Sequence, residues 1–109
     1  MPDEQNLQFI MGLIINGGNA KSDAMEAVHA AKNGDFKLAN QKLKEADDSL
    51  LEAHRSQKEM LTQEGNGNHF VVSLLTIHSQ DHLMNASLFR DLAVEMVVVY
   101  KKLLQASID

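Results

Sequence analysis

Two histidines and an aspartate, His78, Asp81 and His82, fall close together in the segment His78-Ser79-Gln80-Asp81-His82-Leu83-Met84. At about 3.6 residues per helical turn the three project from one side of a helix. Groups that titrate near neutrality are thus set into an apolar-periodic run, which is costly unless they are paired, metal-bound or chemically used. Three chemistries fit the pattern. His78 can be a satisfied structural histidine. His78 and His82, at i and i+4, have a spacing that zinc uses, but the zinc-protease motif needs Glu directly after the first His, where this chain has Ser79. Finally, imidazole has an intrinsic pKa near 6.5, so an exposed ring can attack phosphorus and hold a phosphoryl group as a phosphoramidate. Such a nucleophile needs one ring nitrogen exposed and the other oriented, and Gln80, Asp81 and His82 are the candidate neighbours.

The element that must carry these residues reads as one long helix. From about His69 to about Ala106 there is no Gly or Pro, which allows some 37 helical residues, roughly 55 Å of helix. One seam runs along it at 3-4-3-4 spacing: Val71, Leu74, His78, Asp81, Asn85, Leu88, Leu92, Glu95 and Val99. A second stripe, Leu75, His82, Phe89, Met96 and Leu103, lies beside it. Ile77, Met84, Ala86, Ala93, Val97, Tyr100 and Leu104 spread further round. A helix apolar on more than one face packs on its own bundle and on other subunits, so a homo-oligomer joined along this helix is expected. In a symmetric trimer three copies of Asp81 would meet near the axis. Like carboxylates a few Å apart cannot all stay ionised unaided, so either a metal ion with oxygen ligands, Mg²⁺-like by hardness, or shared protons are expected there.

Two further helices precede it. Asp3 and Glu4 open the first with acidic residues suited to its positive end, and Leu7, Ile10, Met11, Ile14, Ile15, Ala24, Val28 and Ala31 form its stripe. Asn16-Gly17-Gly18-Asn19 interrupts that stripe, and propensity alone favours a break there. Asn33-Gly34-Asp35 is a boundary, with Gly ending one helix and Asp capping the next. The second helix buries Phe36, Ala39, Leu43, Ala46, Leu50, Ala53 and Met60. Residues 63–68 (QEGNGN) form the second connection, with a composition suited to a mobile loop. Three helices with short connections give an all-α, up-down-up antiparallel bundle, and 109 residues make it a single domain spanning 1–109.

Composition narrows the function classes. The chain has no cysteine, so disulfide and thiol chemistry are excluded. A net charge of −5 without a basic cluster argues against a nucleic-acid surface. No apolar stretch approaches the roughly 18 residues of a membrane span, and Met1-Pro2-Asp3-Glu4 lacks a signal peptide's basic region, so a soluble, cytoplasmic protein is expected. A domain this small gains core by oligomerising.

Val72–Met84 (VSLLTIHSQDHLM) resembles the signature of the lactose/cellobiose-type (lactose/N,N'-diacetylchitobiose) enzyme IIA of the bacterial phosphoenolpyruvate:sugar phosphotransferase system. Met11–Ser22 (MGLIINGGNAKS) resembles that family's first-helix motif, Ala30–Phe36 (AAKNGDF) its first turn, and Glu52-Ala53-His54 and the tail Glu95–Leu104 also fit. The resemblance spans nearly the whole chain. It implies a homotrimer with the third helices innermost in a nine-helix core. It implies that His78 accepts a phosphoryl group from HPr, held as a transient phosphohistidine, and passes it to a cysteine of enzyme IIB during import of a disaccharide. Carried over residue by residue, Asp81 is an axial carboxylate associated with a divalent cation, and Gln80 and His82 orient or flank the site. The first helix should then stay continuous through its glycines. Position 79 is Ser where many relatives have Ala, and a small residue is kept. His29, His54 and His69 have no motif support as nucleophiles. The competing reading is a non-enzymatic helical assembly or metal-binding module organised by His78, Asp81 and His82. Which sugar is imported is not written in this chain, because IIA does not touch it.

Overall fold

A computed structural model describes residues 4–108 as three helices, α1 (Glu4–Lys32), α2 (Phe36–Gly65) and α3 (Leu74–Ile108), laid side by side in a rod of 61 × 21 × 16 Å. Asp3, expected in the first helical turn, lies outside the described residues; Glu4 occupies that turn. The up-down-up bundle is as the patterning requires. No helix among the described residues is long and apolar enough to cross a membrane.

α1 does not break at its glycine pair, contrary to propensity, and Gly17 gives the physical reason. A Cβ placed there would stand 3.3 Å from the carbonyl carbon, carbonyl oxygen and Cβ of His82, so only glycine lets α1 lie this close to α3. A Cβ on Gly18 would meet nothing within 4 Å. The cost of two helical glycines, about 1 kcal/mol each, is offset by packing that reaches into the histidine segment.

Both connections are built from the same C-terminal device. Gly34 (φ +82°) follows α1, with the Gly34 N–H donating to the Ala31 carbonyl and the Asp35 N–H to that of Ala30. Gly67 (φ +89°) follows α2, with its N–H donating to Glu64 and the Asn68 N–H to Gln63. This is the Schellman pattern, in which a left-handed residue closes the last turn. Asp35 then caps α2, its carboxylate accepting from the Leu38 N–H at 3.1 Å.

α3 starts at Leu74, five residues later than its lack of Gly and Pro suggests. Ser73 sets the boundary, since its Oγ accepts from the Thr76 N–H at 3.2 Å, while Thr76 Oγ1 donates to the Val71 carbonyl. The preceding stretch is anchored rather than loose. One Glu64 oxygen accepts from the Phe70 N–H at 2.8 Å, the other meets His69 Nδ1 at 2.6 Å, and Phe70 is buried. The His69 hydrogen bond, and then the Phe70 N–H, hold the Glu64 carboxyl below its ordinary 4.5. A depressed folded-state pKa gives stability that is complete above the unfolded value of 4.5 and is lost as pH falls through the lower folded value. Protection of the Phe70 amide against hydrogen exchange should therefore decline on acidification below that point in the parent protein. In Glu64→Gln it should be weaker and flat over the same range. Equal acid sensitivity in the two proteins would show that the tether does not hold the connection.

α1 supplies a small-residue face, with Ala20, Ala24, Ala27 and Ala31 wholly buried beside Ile10 and Leu13. It packs along both other helices, meeting Ala46, Leu50, Ala53 and Met60 of α2 and Leu83, Ala86 and Ala93 of α3 in one core. The Arg90 guanidinium clasps Asp47 through two bonds, Nε to Oδ1 at 2.6 Å and Nη2 to Oδ2 at 3.0 Å, and so ties α3 to α2. On α3, Ile77 and Met84 are 56% and 65% exposed, whereas Ser79 and Leu83 are buried. The seam from Val71 to Val99 stays outside the bundle throughout, every one of its residues being exposed in the single chain.

Candidate functional site

His78 lies one turn into α3 with its ring exposed, and the half-buried His82 ring stands edge-on to it, centroids 4.3 Å apart and planes at 81°. The position of His82 is fixed from behind by Gly17, whose close approach braces the α3 backbone at that residue. Packing of α1 on α3 thus carries the imidazole pair.

His78, Asp81 and His82 share one cleft of about 210 Å³, completed by Asn85 of α3 and Lys21 of α1. The one-sided arrangement expected from their spacing is therefore present. Gln80 does not join them. It sits about 200° round the helix from His78 at about 100° per residue, turned to α2, where its side-chain oxygen accepts from Gln57 Nε2 at 3.1 Å and its Nε2 faces the Met60 sulfur at 3.9 Å. Its geometry is that of an interhelix tie. Ser79 is wholly buried, and its Oγ donates to the Thr76 carbonyl at 2.6 Å, so the hydroxyl is satisfied where space admits only a small side chain.

Lys21 was not among the residues singled out by spacing, because it comes from another helix. The signal lay in the first-helix motif, where Lys21 follows Gly17 by one turn and so shares its face. Among the described residues the Lys21 ammonium and the Asp81 carboxylate have no hydrogen bond or ion pair, whereas Lys42 is committed to Glu26 at 2.9 Å and Glu45 at 3.2 Å. No group of three or more His, Asp or Glu side chains among the described residues of one chain could hold a metal ion. Zinc by the two histidines of one chain therefore lacks further ligands.

A second opening of about 480 Å³ adjoins His78 and is lined by Leu74, Leu75 and His78 itself. Leu74 is 84% exposed and the nearby Val72 83%. The nucleophile candidate thus sits between a polar cleft and an apolar shelf. His29 and His54 are exposed and His69 belongs to the Glu64 tether, so none of them enters this site.

An exposed imidazole on a long helix, braced by a second helix and flanked by bare apolar surface, defines a three-helix module with a candidate histidine nucleophile on its face. A family model, the lactose/cellobiose-specific IIA subunit of the phosphotransferase system, matches residues 8–101. The chain belongs to this enzyme IIA family. It is 43% identical to the lichenan-specific phosphotransferase enzyme IIA component of Bacillus subtilis, over 93% of this chain and 92% of that one. The cellobiose-specific enzyme IIA of Bacillus anthracis superposes with a TM-score of 0.92 at 41% identity, covering 96% and 95% of the two chains. The chitobiose IIA of Escherichia coli, solved in complex with HPr, superposes with a TM-score of 0.79 at 37% identity, covering 93% and 98%.

Proposed function

We propose that this enzyme IIA carries phosphoryl groups on His78, receiving them from phospho-HPr and delivering them to a cysteine of enzyme IIB during uptake of a disaccharide of the lactose, cellobiose or chitobiose class. The observation that carries the reading is the exposed His78 ring, set beside the His82 ring in a cleft that a family-matched segment builds. A lone pair of the neutral imidazole forms the new N–P bond while the bond from phosphorus to the donor breaks, its electron pair staying with the donor. The same two events in reverse order of partner deliver the group onward. The apolar shelf of Val72, Leu74 and Leu75 suits a surface that must accept two partners in turn. A fold relative solved with HPr bound supports the first of them. Incubation with enzyme I, HPr and phosphoenolpyruvate should add one acid-labile, base-stable phosphoryl group per subunit, mapping to the peptide that contains His78. Absence of label, or label on another histidine, overturns the reading.

The exposed seam of α3 supports a homotrimer with the third helices innermost. The seam places the unpaired Asp81 carboxylate about four turns from the other seam carboxylate, Glu95, so that three copies of Asp81, one from each subunit, would hold a divalent cation of the Mg²⁺ type. Their hard oxygen donors fit such an ion, which would offset most of the charge gathered at the axis. Replacing Asp81 by Leu should give a trimer that sediments identically with and without chelator, whereas the parent trimer should be weakened by chelation. A monomeric Asp81→Leu protein would mean that the carboxylates hold the assembly together.

A further inference from the structure

We infer that Lys21, on α1, is a catalytic residue of the phosphoryl-carrying cleft, donating hydrogen bonds from its ammonium to the oxygens of the phosphoryl group on His78. The inference rests on the carrier role of His78 and adds to it a residue from outside the histidine motif. Its ground is the composition of the cleft, where Lys21 is the one Lys or Arg beside His78, Asp81, His82 and Asn85. A phosphoryl group brings close to two negative charges into a space that already holds the Asp81 carboxylate. Like charges at a few Å repel by kilocalories even at intermediate dielectric. A cation facing both offsets that repulsion, and an ammonium is a strongly hydrated, flexible donor suited to tetrahedral oxygens. The Lys21 ammonium has no other partner among the described residues, unlike Lys42, and its backbone is held in place one turn beyond the Gly17–His82 contact. Lys21 keeps its proton throughout, so the transfer to and from His78 balances without it.

The test compares Lys21→Gln and Lys21→Arg with the parent protein, using enzyme I, HPr and phosphoenolpyruvate as the phosphoryl source. Lys21→Gln should take up label at His78 about tenfold more slowly, the loss of one donor at a partly solvated anion. In a ³¹P titration of the phosphoprotein its phosphoryl ionisation should move up by about one unit, and Lys21→Arg should restore both properties. Unchanged kinetics and an unchanged ³¹P titration in Lys21→Gln would overturn the inference while leaving His78 as the carrier. If Lys21 only neutralises Asp81, its effect should vanish in an Asp81→Leu background, and that result would overturn the inference too. A parent protein that takes no label overturns the carrier reading, and this inference falls with it.

Discussion

His78→Gln is expected to take up no phosphoryl group from phospho-HPr while folding as the parent does. Glutamine can hydrogen-bond but offers no lone pair of imidazole basicity, so the N–P bond cannot form. Its fold should survive because His78 is exposed, with its one ring contact to the His82 ring. A substitution of this kind shifts stability by about 0.5 kcal/mol or less. Circular dichroism and thermal melting should therefore be nearly unchanged, which separates a chemical loss from a structural one. His82→Gln should keep the label at a reduced rate, since its ring flanks the nucleophile without being it. Label retained by His78→Gln would sink the assignment outright.

The second large effect is expected from Gly17→Val. Even the first carbon of that side chain would sit 3.3 Å from the His82 backbone, tighter than ordinary van der Waals contact, and two methyls extend beyond it. The backbone of α3 cannot rotate away as a side-chain tip can, so α1 and α3 must part at the level of the histidine pair. Overpacking of this kind costs about 1–3 kcal/mol. The same displacement should slow phosphoryl uptake, because the His78–His82 geometry depends on where the α3 backbone lies. Gly18→Ala is the internal control. Nothing stands within 4 Å of its new Cβ, so it should stabilise α1 by up to about 1 kcal/mol. Chemical denaturation and the labelling rate together decide the matter: two neighbouring glycines should respond with opposite signs. If Gly17→Val melts like the parent, the close approach of α1 to α3 contributes nothing.

Much of this was legible in the sequence, for identifiable reasons. Helix count and the burial of α2 followed from a clean apolar period, and the first boundary from Asn33-Gly34-Asp35, because short-range chemistry governs each of these. The helix runs on through Gly17-Gly18, as the resemblance implies, where propensity alone favours a break, because the deciding partner, His82, lies 65 positions further along the chain, where propensity cannot see it. The start of α3 was placed too early because absence of a helix breaker is weaker evidence than a positive cap, and Ser73 is that cap. Within the site, one-helix geometry brought His78, Asp81 and His82 together correctly. The same geometry sends Gln80 to the opposite side, against α2, although it neighbours Asp81 in sequence. Lys21 was missed because reading the motif on one helix omits what the adjacent helix delivers.

The bare seam of α3 has a consequence for how the protein behaves in a test tube. Leu74, Leu88, Leu92 and Val99 leave between 48% and 84% of their surface to water in the isolated chain. Covering them in association stabilises the folded state by mass action. The melting temperature should then rise with protein concentration, and dilution alone should loosen the fold. If the seams associate as proposed, folding and self-association form a single equilibrium, and one stability figure has meaning only with a concentration attached.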